Sequence, residues 1–104
     1  MMTIEYYGFE WDSEKNAINQ KKHGVSFETA VRAFNDPFLL DEYDSNHSTE
    51  YEDRTSSLGM VYGVLILFII HTERDGKVRI ISARKATKNE RIAYERHRKS
   101  LQAD

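Results

Sequence analysis

The side chains best equipped for chemistry in this chain are arginines, and most lie toward its end. Arg79 and Arg84 sit on one short segment, and Lys85 follows directly. Arg91 and Arg98 are seven residues apart, which on a helix puts them on one face with Glu95 between them. Arg54 opens an earlier segment that an antiparallel sheet can bring alongside. A guanidinium is a rigid fork of donors that suits phosphate oxygens. Well placed, it also stabilises the extra charge of a pentavalent phosphoryl transition state. The plain alternative for each arginine is a surface ion pair worth at most about 1 kcal/mol. That alternative weakens when several arginines share a sheet and its neighbouring helix. Proton transfer needs other side chains. His23 ends a helical segment and carries an imidazole, and Tyr94 carries a phenol, both able in principle to give or take a proton. Their plain alternatives are a helix-end residue bonding to free carbonyls and a ring packed in the core.

Other chemistries find no support. The four histidines, His23, His47, His71 and His97, lack HExxH spacing, and there is no cysteine. No glycine-rich phosphate loop or GxSxG elbow is present. The expectation is a protein with no metal and no cofactor.

These residues need a scaffold, and 104 residues with 39% hydrophobic and 31% charged side chains make a single domain spanning 1–104. The longest apolar run, 64–70, is far short of the ~18 residues that span a bilayer. The first residues lack a signal peptide's basic-then-apolar layout, and the missing cysteines fit a reducing compartment. A cytoplasmic protein with no membrane association is expected. The net charge of −2 hides a division: residues 1–70 carry five basic and twelve acidic side chains, residues 71–104 ten basic and five acidic. A basic end of this kind hints at an anionic partner.

The element order follows from caps and periodicity. Residues 4–11 are aromatic and extended. Asp12 can cap a helix over 13–23 that Gly24 closes, and Ser26 can cap a second helix whose Phe27, Ala30, Val31 and Phe34 form one stripe. Asn35-Asp36-Pro37 stops it. Strands are expected at 38–43, 54–60, 62–72 and 78–84, the last two joined by an Asp75-Gly76 turn. Residues 44–53 are a polar, acidic loop. Thr87-x-x-Glu90 has capping-box spacing and opens a helix to about 100. The predicted fold is α+β: two N-terminal helices, a four-stranded antiparallel sheet and a C-terminal helix. The run 64–70 does not alternate, so both faces of the sheet must be covered near its centre. The basic last helix offers little apolar surface for that, which leaves room for a protein partner or a second copy of the chain.

Several of these blocks resemble the BrnT toxin family. They are Phe9-x-Trp11-Asp12-x-x-Lys15, Lys22-His23-Gly24-Val25-Ser26-Phe27-Glu28-x-Ala30, Glu52-x-Arg54, Gly59, Thr72-Glu73-Arg74, Arg79-Ile80-Ile81-Ser82-Ala83-Arg84-Lys85-Ala86, Glu90-Arg91 and Tyr94. Together they cover roughly residues 9–96. The resemblance implies a RelE-like ribonuclease fold and metal-free cleavage of RNA that inhibits translation. It also implies neutralisation by a BrnA-like ribbon-helix-helix antitoxin, with DNA contacted only through that partner. It directs attention to His23, Arg54, Arg79, Arg84 and Tyr94 as catalytic positions and to Glu90 as an orienting one; Lys85, Arg91 and Arg98, read from the basic cluster itself, are expected to bind RNA. The alternative is a non-catalytic RNA- or protein-binding module acting through its partner complex, since this chain is mildly acidic where such toxins tend to be basic.

Overall fold

The computed structural model describes residues 2–103. Two short strands, β1 (Thr3–Tyr6) and β2 (Phe9–Asp12), come first. Helices α1 (Ser13–His23) and α2 (Phe27–Ala33) follow, then strands β3 (Leu40–Tyr43), β4 (Thr55–Val61), β5 (Leu65–Arg74) and β6 (Lys77–Lys85), and helix α3 (Lys88–Gln102). The caps explain the helix limits. The Asp12 carboxylate accepts from the Glu14 and Lys15 amides, and Gly24, left-handed at φ 72°, returns its N–H to Gln20. Ser26 caps α2 through the Thr29 amide. Thr87 and Glu90 cap each other reciprocally at the start of α3.

The sheet corrects the expectation. It has six strands rather than four, in the order β1-β2-β6-β5-β4-β3, and it is mixed rather than antiparallel, because β2 runs parallel to β6. The two helices are not the first elements either; a β-hairpin precedes them. Its turn, Tyr7-Gly8, has both residues at positive φ, the two-residue geometry that suits the twist of paired strands. Asp75-Gly76 makes the same turn between β5 and β6. The hairpin is held by what it buries: Phe9 packs on Phe34, and Trp11, 1% exposed, on Phe27. It also pairs part of the edge that β6 would otherwise present to solvent.

Strand β5 explains its lack of alternation. Leu67 and Ile69 enter a core with Trp11, Phe27, Ala30 and Ile80, under α1 and α2. Ile66 enters a smaller core with Leu58, Ala86 and Tyr94, under α3, where Phe68 packs at the margin. The α3 core is confined to one end of its face. No helix among the described residues is long and apolar enough to cross a membrane.

Candidate active site

The open part of the α3 face holds three of the predicted arginines. Register places Glu10, Arg79 and Thr72 side by side across β2, β6 and β5. Thr72 Oγ1 donates to the Asp53 carbonyl at 2.7 Å, which ties Arg54 to the end of the same row. Further along β6, Arg84 pairs in register with Phe68, and its guanidinium lies 4.2 Å over that ring.

Each of the three has a carboxylate partner. Arg79 is paired with Glu10, both largely buried. Arg54 Nε is 2.7 Å from Glu52. Arg84 meets Glu90 in a two-pronged contact at 2.8 and 3.0 Å. Burial alone would push the Glu90 carboxyl up, but hydrogen bonds from Arg84 and the Thr87 amide outweigh it and hold the group below its ordinary value. Glu90 thus does two things at once: it closes the capping box and orients Arg84.

The other predicted positions lie elsewhere. Lys85 is exposed and pairs in register with Leu67, so it belongs to the face under α1 and α2. His23 ends α1, which is bonded to β6 through Asn19 on that same face. Arg91 is exposed and donates to the Ala86 carbonyl at 3.1 Å. Arg98 lies two turns beyond Glu90, its guanidinium 5.1 Å from the centre of the Phe38 ring. Tyr94 is 0% exposed and gives its hydroxyl proton to Asp36. Burial first, then that hydrogen bond and the Asp36 charge, push the phenol well above its ordinary range.

A residue not singled out from the sequence, His47, shares a cavity with Arg84 instead. The loop 44–54 folds over the sheet edge around Asp44, which is buried and accepts from the Asn46 and His47 amides through Oδ1. Its Oδ2 is 2.7 Å from His47 Nδ1. A carboxylate oxygen accepts from Nδ1–H, and the neutral tautomer that makes this bond has its lone pair on Nε2. Asp44, His47, Ser56, Phe68, Arg84 and Glu90 line a cavity of about 350 Å³. The signal was an Asp-x-x-His step inside an acidic loop, a local turn that resembles ordinary loop polarity. A second histidine cluster, Asp41, Ser57 and His71, lies on the opposite face. Ser57 donates to Asp41 and lies 2.6 Å from His71 Nε2, but it is 0% exposed and cannot meet a substrate. Among the described residues, no three His, Asp or Glu side chains gather as a metal-ligand set.

The arrangement sets guanidinia held by carboxylates on a sheet face near a histidine bonded to an aspartate. The fold is similar to that in the 1.1 Å crystal structure of the Brucella abortus ribonuclease toxin BrnT. The TM-score is 0.57 at 22% identity, covering 75% of this chain and 94% of that one. No curated protein sequence matches the chain. The profile of the family described as ribonuclease toxin BrnT of type II toxin–antitoxin systems matches residues 11–90, and the chain belongs to that family. An antitoxin partner comes with such membership.

Proposed function

We propose that this chain is a metal-independent endoribonuclease acting at the His47–Arg84 cavity. The observation that carries the proposal is the oriented imidazole opening onto the same cavity as a fixed guanidinium. In such cleavage O2′ bonds to the adjacent phosphorus as the P–O5′ bond breaks, leaving a 2′,3′-cyclic phosphate and a 5′-hydroxyl that takes its proton from solvent. His47 Nε2 takes the 2′-hydroxyl proton, and Asp44 steadies the imidazolium that results. Arg84 faces the phosphate oxygens as charge accumulates. Arg79 and Arg54, along the same sheet face, position the strand. Tyr94 supports the floor beneath α3 rather than touching substrate, and His23 stands outside the reaction. Cleavage of cellular RNA inhibits translation, and a BrnA-like ribbon-helix-helix antitoxin occludes the site and supplies the contact with DNA.

One observation favours a non-catalytic binding module: Arg54, Arg79 and Arg84 are each already neutralised by a glutamate. The test incubates the chain with RNA and with DNA of the same sequence, both in excess chelator, with ribosomes in a parallel arm. Enzyme action gives cleavage of RNA alone. Arg84→Ala and His47→Ala should each lower the rate about a hundredfold or more while RNA binding survives. Binding with no cleavage in any arm supports the module instead.

A further inference from the structure

From the α3 N-terminus a groove runs between that helix and strands β3 and β4, past Leu40, Leu58 and Ala93. Further along the same helix lies a second cavity of about 430 Å³, near Arg98 and the tip of the β4–β5 hairpin. We propose that this cavity is a nucleotide subsite, which takes one base of a single-stranded RNA whose scissile phosphate lies at Arg84. The proposal rests on the ribonuclease reading above for the identity of the strand.

Three observations carry it. The first is charge. Arg32 and Arg98 line the cavity, and neither forms a salt bridge among the described residues, in contrast to Arg54, Arg79 and Arg84. Asp36 also lines the cavity and feels the Arg98 charge, but its carboxylate is occupied by the Tyr94 hydroxyl and the Met60 and Phe38 amides. Arg98 gives one N–H to Met60 Sδ at 3.8 Å, and the two guanidinia keep others to offer a phosphate.

The second is the aromatic surface. Arg32 lies 5.7 Å from the centre of the Tyr62 ring, and Arg98 lies 5.1 Å from that of Phe38 on the other wall. Tyr62 is 66% exposed, so most of its ring is open to a base. Arginines beside open aromatic faces are the usual means of holding single-stranded bases.

The third is backbone. Tyr62 has φ 55°, a left-handed conformation that asparagine or glycine adopts more easily than an aromatic residue. Folding alone favours another residue there; the ring is what tyrosine adds. Spacing fits as well. Glu90 and Arg98 lie on the same helix, and eight residues of α3 rise about 12 Å, a stride of a very few nucleotides.

The test uses a single-stranded RNA with every 2′-hydroxyl methylated, which can bind but cannot react by 2′-attack. Fluorescence anisotropy then reads affinity without cleavage. Tyr62→Asn should weaken binding about tenfold, Tyr62→Trp should hold it near the parent value, and Arg32→Gln should weaken it severalfold and flatten the salt dependence. Because asparagine suits the left-handed position, the thermal midpoint of Tyr62→Asn should stay the same or rise. Equal affinity of Tyr62→Asn and the parent overturns the proposal. So does a loss of affinity for the antitoxin with RNA binding unchanged, which would make the groove a protein-docking surface. If Tyr62-dependent binding stands but unmodified RNA is never cut, the subsite survives and the ribonuclease reading fails. Cleavage by the parent with no role for Tyr62 gives the reverse.

Discussion

Replacing Asn19 by leucine tests how β6, the strand that carries Arg79 and Arg84, is fixed in place. Strand β2 pairs with β6 only through Phe9–Val78 and Glu10–Arg79, so the outer edge of β6 has no strand beside it further on. Asn19, 6% exposed on α1, takes over. Its amide nitrogen donates to the Ala83 and Val25 carbonyls, each at 2.8 Å, and its oxygen accepts the Ala83 N–H at 3.1 Å. One side chain does the work of a strand. Leucine has similar bulk but leaves two carbonyls and one amide buried without partners, since Ala83 is 0% and Val25 3% exposed. Each orphaned group costs about 1–3 kcal/mol, and partial relaxation makes the sum less than additive, so about 3–5 kcal/mol is expected. That is a large part of the roughly 5–15 kcal/mol a domain possesses. Urea unfolding measures it. With a slope of about 1–3 kcal/mol/M, the midpoint should fall by roughly 2 M at unchanged slope. A loss under about 1 kcal/mol would refute the argument that Asn19 completes the edge of β6.

Three further outcomes follow from other contacts. Gly59→Ala should cost about 1–3 kcal/mol by calorimetry or urea melts, because a Cβ there would stand 2.8 Å from the Ala33 carbonyl oxygen and 2.9 Å from the Ala33 Cβ, where α2 crosses β4. Tyr94→Phe should cost about 1–2 kcal/mol and raise the Asp36 pKa, followed by carboxyl NMR. Burial pushes the Asp36 carboxyl up, but hydrogen bonds from Tyr94, Met60 and Phe38 and the Arg98 charge hold it below its ordinary value, and the variant removes one of these. Burial holds the His71 imidazole below its ordinary pKa, and the Asp41 charge offsets this only in part. The unfolded chain therefore takes up the His71 proton first as pH falls, so stability should drop from about pH 6.5 down to the folded pKa, and His71→Gln should lose that part of the slope in pH-dependent urea melts.

Local signals in the sequence were strong where one residue dictates one geometry. Asp12, Gly24, Ser26 and the Thr87–Glu90 pair bound helices where caps are expected, and Asp75-Gly76 makes the expected turn. The error in the sheet came from a different kind of signal. Residues 4–11 look extended but carry a Tyr-Gly turn, and tyrosine at positive φ is an unusual choice that propensity does not reveal. The parallel pairing of β2 with β6 joins residues about seventy positions apart, and no periodicity encodes that. The site divided along the same line. That Arg54, Arg79 and Arg84 share a face depends partly on a register irregularity at Ile70/His71, without which Arg79 and Arg84 would lie on opposite faces. The pairing of Asp44 with His47 needs a folded loop to become visible.

The division of charge along the chain also takes on a different meaning in three dimensions. The acidic first part and the basic last part meet at the β2–β6 seam, where Glu10 pairs with Arg79, and Glu5 of β1 pairs with Lys77. Glu90 takes Arg84 within the last part itself. Three of the ten basic residues of the last part are neutralised in these pairs, and the mildly negative total is a poor guide to what the others offer an anion. What remains basic is local. Lys88, Arg91, Arg96 and Lys99 share an outer stretch of α3 without salt bridges among the described residues, and Arg32 and Arg98 flank the groove beneath it. Attraction for a polyanion is set by such patches within a Debye length of about 8–10 Å, not by the sum over the molecule. A chain of net charge −2 can therefore still offer a polyanion local basic patches. Under the proposed ribonuclease reading, affinity for RNA at these patches should fall steeply with added salt, and an affinity flat in salt would refute this electrostatic argument.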